Sequence, residues 1–263
     1  NRDPTKVAAY LTTPGVVFQD LIIVGFRTAE TAPAAPGAVR AYDVRTGALR
    51  WTFNLIPRPG EFGNETWPAE AWQTAGGANA WAGMVVDDMR GIVYVPTGSA
   101  VDDFYGADRP GDNLFANSLV ALDASTGKRL RHFQLVHHDV LDRDPPSPPV
   151  LLTVNQNGRK IDVVAQTTKH GVLFVLDRVT GKPVFPIEER AVAQSDLPDE
   201  KTSATQPFPL KPEPYARQQL TADMLTMRTP EANKAARETF AQSRALGPFG
   251  PLTVGKPPPV SPG

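Results

Sequence analysis

One pattern recurs along the chain and limits what it can fold into. Residues 41–51 read AYDVRTGALRW, residues 121–131 read ALDASTGKRLR and residues 175–185 read VLDRVTGKPVF. Each copy sets Asp-x-x-Thr-Gly between two short, partly apolar runs. The Asp carboxylate can accept hydrogen bonds from the turn amides, and Gly adopts a positive φ without steric cost. Each copy therefore predicts a β-hairpin. Further strands are expected ahead of the hairpins, at 21–25, 91–96 and 163–166, the last leading into 171–176. No regular βαβ alternation is present, which argues against a doubly wound parallel sheet. Hairpins that recur with strands between them suggest the blades of a β-propeller. The intervals between Asp43, Asp123 and Asp177 are unequal and exceed the ~40–50 residues of a minimal blade, so long inserted loops are expected. Three unrelated hairpins in another all-β fold remain the plainer alternative.

The rest of the chain offers less regular signals. Residues 188–214 are rich in Pro, Asp, Glu, Ser and Thr and read as a long surface excursion. One helical region is expected over 221–246, with Thr229 as cap, Pro230 at the first helical position, and Ala232, Ala235, Ala236 and Phe240 at helical spacing. We treat 1–263 as one partial domain, with a loop and helical excursion over about 188–250. The chain starts at Asn1 and ends on PPPVSPG, so truncation at both ends is expected. A net charge of -1 offers no basic field for nucleic acid. The absence of Cys excludes disulfides, thiolate metal sites, Cys nucleophiles and covalent haem attachment within this sequence.

Several segments, in order, resemble the pyrroloquinoline-quinone (PQQ) dependent dehydrogenases, and within them the membrane-type glucose dehydrogenase branch. They are GANAWAG (77–83), VYVPTGS (93–99), VHHDVLDRD (136–144), TKHG (168–171) and TQP (205–207). The resemblance implies an eight-bladed propeller of four-stranded antiparallel blades, of which this length supplies about half. The recurring hairpins resemble that family's tryptophan-docking repeats. Trp51 fits the repeat, whereas Arg131 and Phe185 replace the Trp in the other copies, so those two blade contacts are expected to be degenerate.

The resemblance also implies a site. Asp142 matches the catalytic carboxylate, and a carboxylate within ~3 Å of a hydroxyl can take its proton. Lys169 matches the cation that contacts the quinone oxygens and would stabilise charge developing there. Trp81 matches the ring beneath the PQQ plane. Arg27 and Thr97 are further candidates for cofactor contact. Glu30, Ser99 and Asp142 are the candidate ligands of a divalent cation, Ca2+ or Mg2+. Ser99, or Ala100 in a shifted register, stands where a related branch has Asn. Read from the residues alone, Asp142 is a turn-capping Asp, Lys169 a solvated turn cation, Arg27 a solvated strand end and Trp81 a core ring.

His137, His138, Asp139 and Asp144 crowd the Asp142 loop and read as supporting groups, one of them orienting Asp142. Asp142 and Asp144 are expected to point apart, as alternate residues of an extended chain do. Asp87, Asp88, Asp102 and Asp103 read as turn residues. The implied activity is oxidation of a sugar or alcohol by hydride transfer to PQQ, with electrons passed to a membrane quinone or cytochrome c in the periplasm. Two rivals stand beside it. One is a non-catalytic scaffold propeller that kept the repeats. The other is a metal-using hydrolase, which would need a second carboxylate poised near Asp142.

Overall fold

A computed structural model describes residues 8–243 and 247–255. Three antiparallel sheets follow one another along the chain. The first holds β2 (Val16–Phe18), β3 (Leu21–Val24), β5 (Val39–Asp43) and β6 (Leu49–Phe53), in that spatial order, after a short β1 (Ala9–Tyr10) that pairs with β4 (Arg27–Thr28). The second holds β7 (Val85–Asp87), β8 (Ile92–Pro96), β9 (Ser118–Asp123) and β10 (Arg129–Gln134). The third holds β11 (Val150–Gln156), β12 (Arg159–Thr167) and β13 (Leu173–Asp177). Each sheet is thus a meander of neighbours in sequence, as in a propeller blade. The short helix α1 (Ala71–Thr74) lies in the crossover between the first two sheets. No helix among the described residues is long and apolar enough to cross a membrane.

All three Asp-x-x-Thr-Gly turns form as expected. Asp43, Asp123 and Asp177 each accept, through Oδ1, the amides two and three residues further on at 2.7–3.0 Å. The third copy departs from the pattern after its turn. Its second strand is reduced to a single bridge, Leu176 to Pro183, because Pro183 has no amide hydrogen to donate to a ladder.

The second sheet is covered on both faces, and every residue of β8 is buried. Val93 and Val95 face a core shared with Ile23, Val39, Ala41 and Trp51 of the first sheet. Ile92 and Tyr94, on the alternate face, pack with Val164 and Leu176 of the third. Face-to-face stacking of successive meanders is what a propeller requires, and among the described residues no βαβ unit competes with it.

The joints between sheets depend on the turn glycines. Trp51 lies across Gly127 at φ 71°, where a Cβ would stand 2.5 Å from Trp51 Cε3, and its Nε1 donates to the Ala124 carbonyl at 3.2 Å. At the next joint the sequence led us to expect degeneracy, and the structure corrects this. Arg131 lies across Gly181 in the same way, 2.4 Å from the position a Cβ would take, and donates to the Arg178 carbonyl. A guanidinium stem and fork here do the work of an indole. The same joint carries an ion-pair cluster. Asp87 and Arg90 of the second sheet meet Asp162 and Arg178 of the third at 2.6–3.4 Å. Asp87 is therefore a buried bridging group and not a plain turn residue.

Two expectations for the C-terminal half need correction. The excursion at 188–214 contains a hairpin, β14 (Ile187–Ala191) against β15 (Thr205–Pro209). Pro207 and Pro209 disguise it in sequence, yet both are tolerated because β15 has only one strand neighbour. The helix is also shorter than 221–246. It is α2 (Pro230–Gln242), capped by Thr229 Oγ1, which accepts the Ala232 amide at 3.1 Å. Residues 222–224 form only a single 3-10 turn. None of the α2 residues is buried, so it builds no core. The expected helix end at 244–246 and both chain ends, including Asn1 and 257–263, lie outside the described residues.

Candidate active site

The second strand of each sheet runs toward the same place. Beyond β3 come Arg27, Thr28 and Glu30; beyond β8 come Gly98, Ser99 and Asp103; beyond β12 comes Lys169. The segments leading into β7 and β11 add Asn79 with Trp81, and Asp142 with Asp144. Together they line a cleft enclosing about 510 Å³, counted to its open mouth. Loops at strand ends on a stacked scaffold are where such folds carry chemistry.

Lys169 is the hub. Its Nζ lies 2.8 Å from both carboxylate oxygens of Asp142 and 2.6 Å from Asp144 Oδ1. It also stands 5.5 Å from the centre of the Trp81 ring. Trp81 Nε1 donates to Asp144 Oδ2 at 2.7 Å. Burial works to lower the Lys169 ammonium, but Asp144 and Asp142 outweigh it and hold its pKa above the usual lysine value. Asp144 is buried, and burial foremost pushes its carboxyl up to about 6, against the pull of Lys169 and Trp81.

The convergence of two carboxylates corrects the expectation that Asp142 and Asp144 point apart. That argument assumed an extended chain. Asp142 instead has φ 53°, a left-handed turn, which swings both side chains onto one cation. Asp139 holds this turn. Its buried carboxylate accepts the Leu141 amide at 2.9 Å, the Arg143 amide at 2.6 Å, Ser99 Oγ at 2.6 Å and Asn117 Nδ2 at 2.8 Å. Of the four groups expected to support the loop, Asp139 is thus the one that holds the Asp142 turn, and the histidines face elsewhere. His137 pairs with Gln134 and Glu189, and His138 Nδ1 with the Gly111 carbonyl, so neither ring bonds Asp142.

The remaining candidates divide. Arg27 and Glu30 line the cleft rim, where they pair with each other at 2.6 Å. Ser99 lines it too, with its hydroxyl committed to Asp139. Thr97 does not line it. Thr97 is buried, and its Oγ1 bonds the carbonyls of Phe115 and Ser118, so its role is to close the end of β8. Glu30, Ser99 and Asp142 share the cleft but form no cage. Among the described residues no three His, Cys, Asp or Glu side chains gather around one point.

Two cleft residues escaped the sequence reading. Asn79 Oδ1 is buried in the wall and has no hydrogen-bond partner among the described residues, while its Nδ2 donates to Thr28 Oγ1 at 3.0 Å. Asp103, read as a turn residue, faces the cleft. Burial, followed by the charges of Asp142, Glu30, Asp139 and Asp144, raises its carboxyl to about 7. The GANAWAG match was the one signal that touched Asn79, and nothing local marked Asp103.

Comparison with known proteins gives the following. Residues 1–261 match the family described as PQQ glucose/ethanol/alcohol dehydrogenase, β-propeller domain. The glycerol dehydrogenase large subunit of Gluconobacter oxydans (strain 621H) is 34% identical over 256 residues, covering 94% of this chain and 34% of that protein. Quinoprotein glucose dehydrogenase A of Acinetobacter calcoaceticus is 38% identical over 207 residues, covering 75% of this chain and 25% of that protein. The crystal structure of quinohemoprotein alcohol dehydrogenase from Comamonas testosteroni superposes with a TM-score of 0.60 at 28% identity, over 74% of this chain and 30% of that one. The chain thus spans 25% to 34% of the length of these curated relatives.

Proposed function

The chain belongs to the PQQ glucose/ethanol/alcohol dehydrogenase β-propeller family, and from that premise we propose that its cleft is the cofactor site of a sugar or alcohol dehydrogenase. The observation that carries this reading is the cluster of Lys169, Asp142, Asp144 and Trp81 at the cleft floor.

The residues present fit PQQ and a divalent cation on three counts. PQQ is flat, tricyclic and polycarboxylate. Trp81 offers an aromatic face, and Gly98 keeps space beside it, since a Cβ there would lie 3.1 Å from both Trp81 Cδ1 and Asp144 Oδ2. The cleft holds Glu30, Asp103, Asp142 and Asp144 against Arg27 and Lys169, so its ionised charge is negative. An anionic cofactor in such a cleft needs a counter-charge, which a divalent cation supplies. Glu30, Ser99, Asp142 and the unpartnered Asn79 Oδ1 are the oxygens that would hold the ion, completed by the cofactor's own oxygens.

When bound, PQQ supplies the quinone that accepts hydride from the substrate carbon. Asp142 then takes the proton of the reacting hydroxyl. Lys169 has three donors, and its charge stabilises negative charge developing on a quinone oxygen. Asp144 keeps Lys169 and Trp81 together from below. A membrane quinone or a cytochrome in the periplasm would be the electron acceptor that the resemblance implies.

The test is a titration of the complete gene product with PQQ and calcium, followed by Trp fluorescence. Saturable, metal-dependent quenching is expected, with affinity lowered about tenfold or more by Lys169→Ala. Asp142→Asn should still bind PQQ but lose ~10²–10⁴ in turnover. A folded gene product that PQQ does not quench refutes the reading.

A further inference from the structure

Asp103 differs from every other carboxylate of the cleft. Glu30 is paired with Arg27, and Asp142 and Asp144 with Lys169. The Asp103 carboxylate makes no hydrogen bond or ion pair with any described residue, although it faces the same cleft. Its position is nevertheless held firmly. Just before it, Asp102 Oδ1 accepts the Ala32 amide at 3.0 Å, and the Asp102 carbonyl accepts Arg109 at 3.0 Å. Arg109 is itself buried and ties this loop to the Asp139 carbonyl at 2.6 Å. Just after it, Tyr105 Oη donates to the Pro198 carbonyl at 2.9 Å, and the Gly106 amide donates to Glu200 at 2.8 Å. The backbone is thus pinned on both sides of a side chain left without a partner.

A half-buried carboxylate with no hydrogen bond or ion pair among the described residues leaves part of its desolvation cost uncompensated. The reacting hydroxyl is already assigned to Asp142, so Asp103 is spare for another group of the same substrate. An anionic substrate would meet a cleft that is already negative, whereas a neutral hydroxyl could donate to Asp103. We propose that Asp103 is a specificity-determining residue that accepts a hydrogen bond from a second substrate hydroxyl, so that the site selects polyols and sugars over monohydric alcohols. This rests on the dehydrogenase reading above and adds a role to it. A monohydric substrate leaves Asp103 desolvated and unpaired, which is how a polar site rejects an analogue lacking the hydroxyl it was built to bind. The raised pKa of about 7 agrees with this, because burial and four neighbouring carboxylates leave Asp103 short of compensation in the free protein.

The test compares glycerol with propan-1-ol on the complete gene product loaded with PQQ and calcium, for the natural residue, Asp103→Asn and Asp103→Ala. PQQ quenching of Trp fluorescence is followed in each to show that the cleft still folds and loads. The expected result is a fall of about 10- to 100-fold in the glycerol to propan-1-ol ratio of kcat/KM, carried by KM, in variants that PQQ still quenches. An unchanged ratio, or a loss carried wholly by kcat for both substrates, overturns the role given to Asp103 while leaving the dehydrogenase reading intact. Failure of PQQ to quench the unsubstituted protein overturns both.

Discussion

Replacing Gly127 and Gly47 separately by Ala would measure what one inter-sheet joint contributes. Both glycines sit at φ 71° in equivalent Asp-x-x-Thr-Gly turns. At Gly47 a Cβ would meet nothing within 4 Å, so Gly47→Ala carries only the left-handed strain, about 1–2 kcal/mol. At Gly127 the Cβ would lie 2.5 Å and 2.6 Å from Trp51 Cε3 and Cδ2, too close for the indole to stay. Gly127→Ala therefore adds a repacking cost of about 1–3 kcal/mol and weakens the Trp51 Nε1 to Ala124 bond, about 0.5–1.5 kcal/mol. The expected excess over Gly47→Ala is about 1.5–4.5 kcal/mol. Urea denaturation followed by fluorescence and circular dichroism would read it. Repeating both substitutions in a Trp51→Ala background should erase the excess, because the indole is then gone. Equal destabilisation by the two Ala variants, or an excess that survives Trp51→Ala, would refute the docking argument.

Two further outcomes follow from the cleft. Asp139→Ala removes the acceptor of two amides, Ser99 and Asn117 at once, and should cost about 3–5 kcal/mol in a denaturant titration. Stability should also respond to pH in two opposing senses. Burial lowers His132 to about 4 and His170 to about 3 from 6.5, so the folded state resists protonation there and loses stability as pH falls below about 6.5. Asp103, raised from 3.8 to about 7, binds its proton more tightly when folded, so its contribution is full below 3.8, is lost as pH rises to about 7 and changes no further above that, opposing the histidines over the same range. Melting temperatures from pH 4 to 9 would show the sum, and Asp103→Asn should steepen the rise in stability between pH 4 and 7; an unchanged slope there in that variant would count against the assignment.

What could be read from sequence was local, and what could not was assembled from a distance. The three turns needed only Asp43, Asp123 and Asp177 with the glycines four residues on, and they fold as expected. Pro183 sits inside the third copy, yet its effect on the strand was missed because the pattern was read for turns and not for amide donors. The hairpin of β14 and β15 was hidden by Pro207 and Pro209, whose tolerance depends on which strand is at an edge. Arg131 was dismissed because it is not Trp, although its contact is determined by the bare Gly181 opposite. In the cleft, residues carried by matched segments were reachable. Asp144 depended on the backbone sign at Asp142, and Asp103 on a loop pinned by Arg109, Pro198 and Glu200, none of them near it in pattern.

The two joints differ in their chemistry, and that difference gives the protein an uneven seam. Trp51 closes the first with an apolar ring and one neutral hydrogen bond, a contact that salt scarcely touches. The second is closed by Arg131 and by the cluster of Asp87, Arg90, Asp162 and Arg178. Its strength is electrostatic, and raising ionic strength toward 1 M shrinks the screening length to about 3 Å, eroding its partly exposed members first. Warming acts in the opposite sense, since the hydration that competes with ion pairs weakens as temperature rises. Brine would therefore loosen the protein between its second and third sheets, whereas heat would leave that boundary comparatively firm.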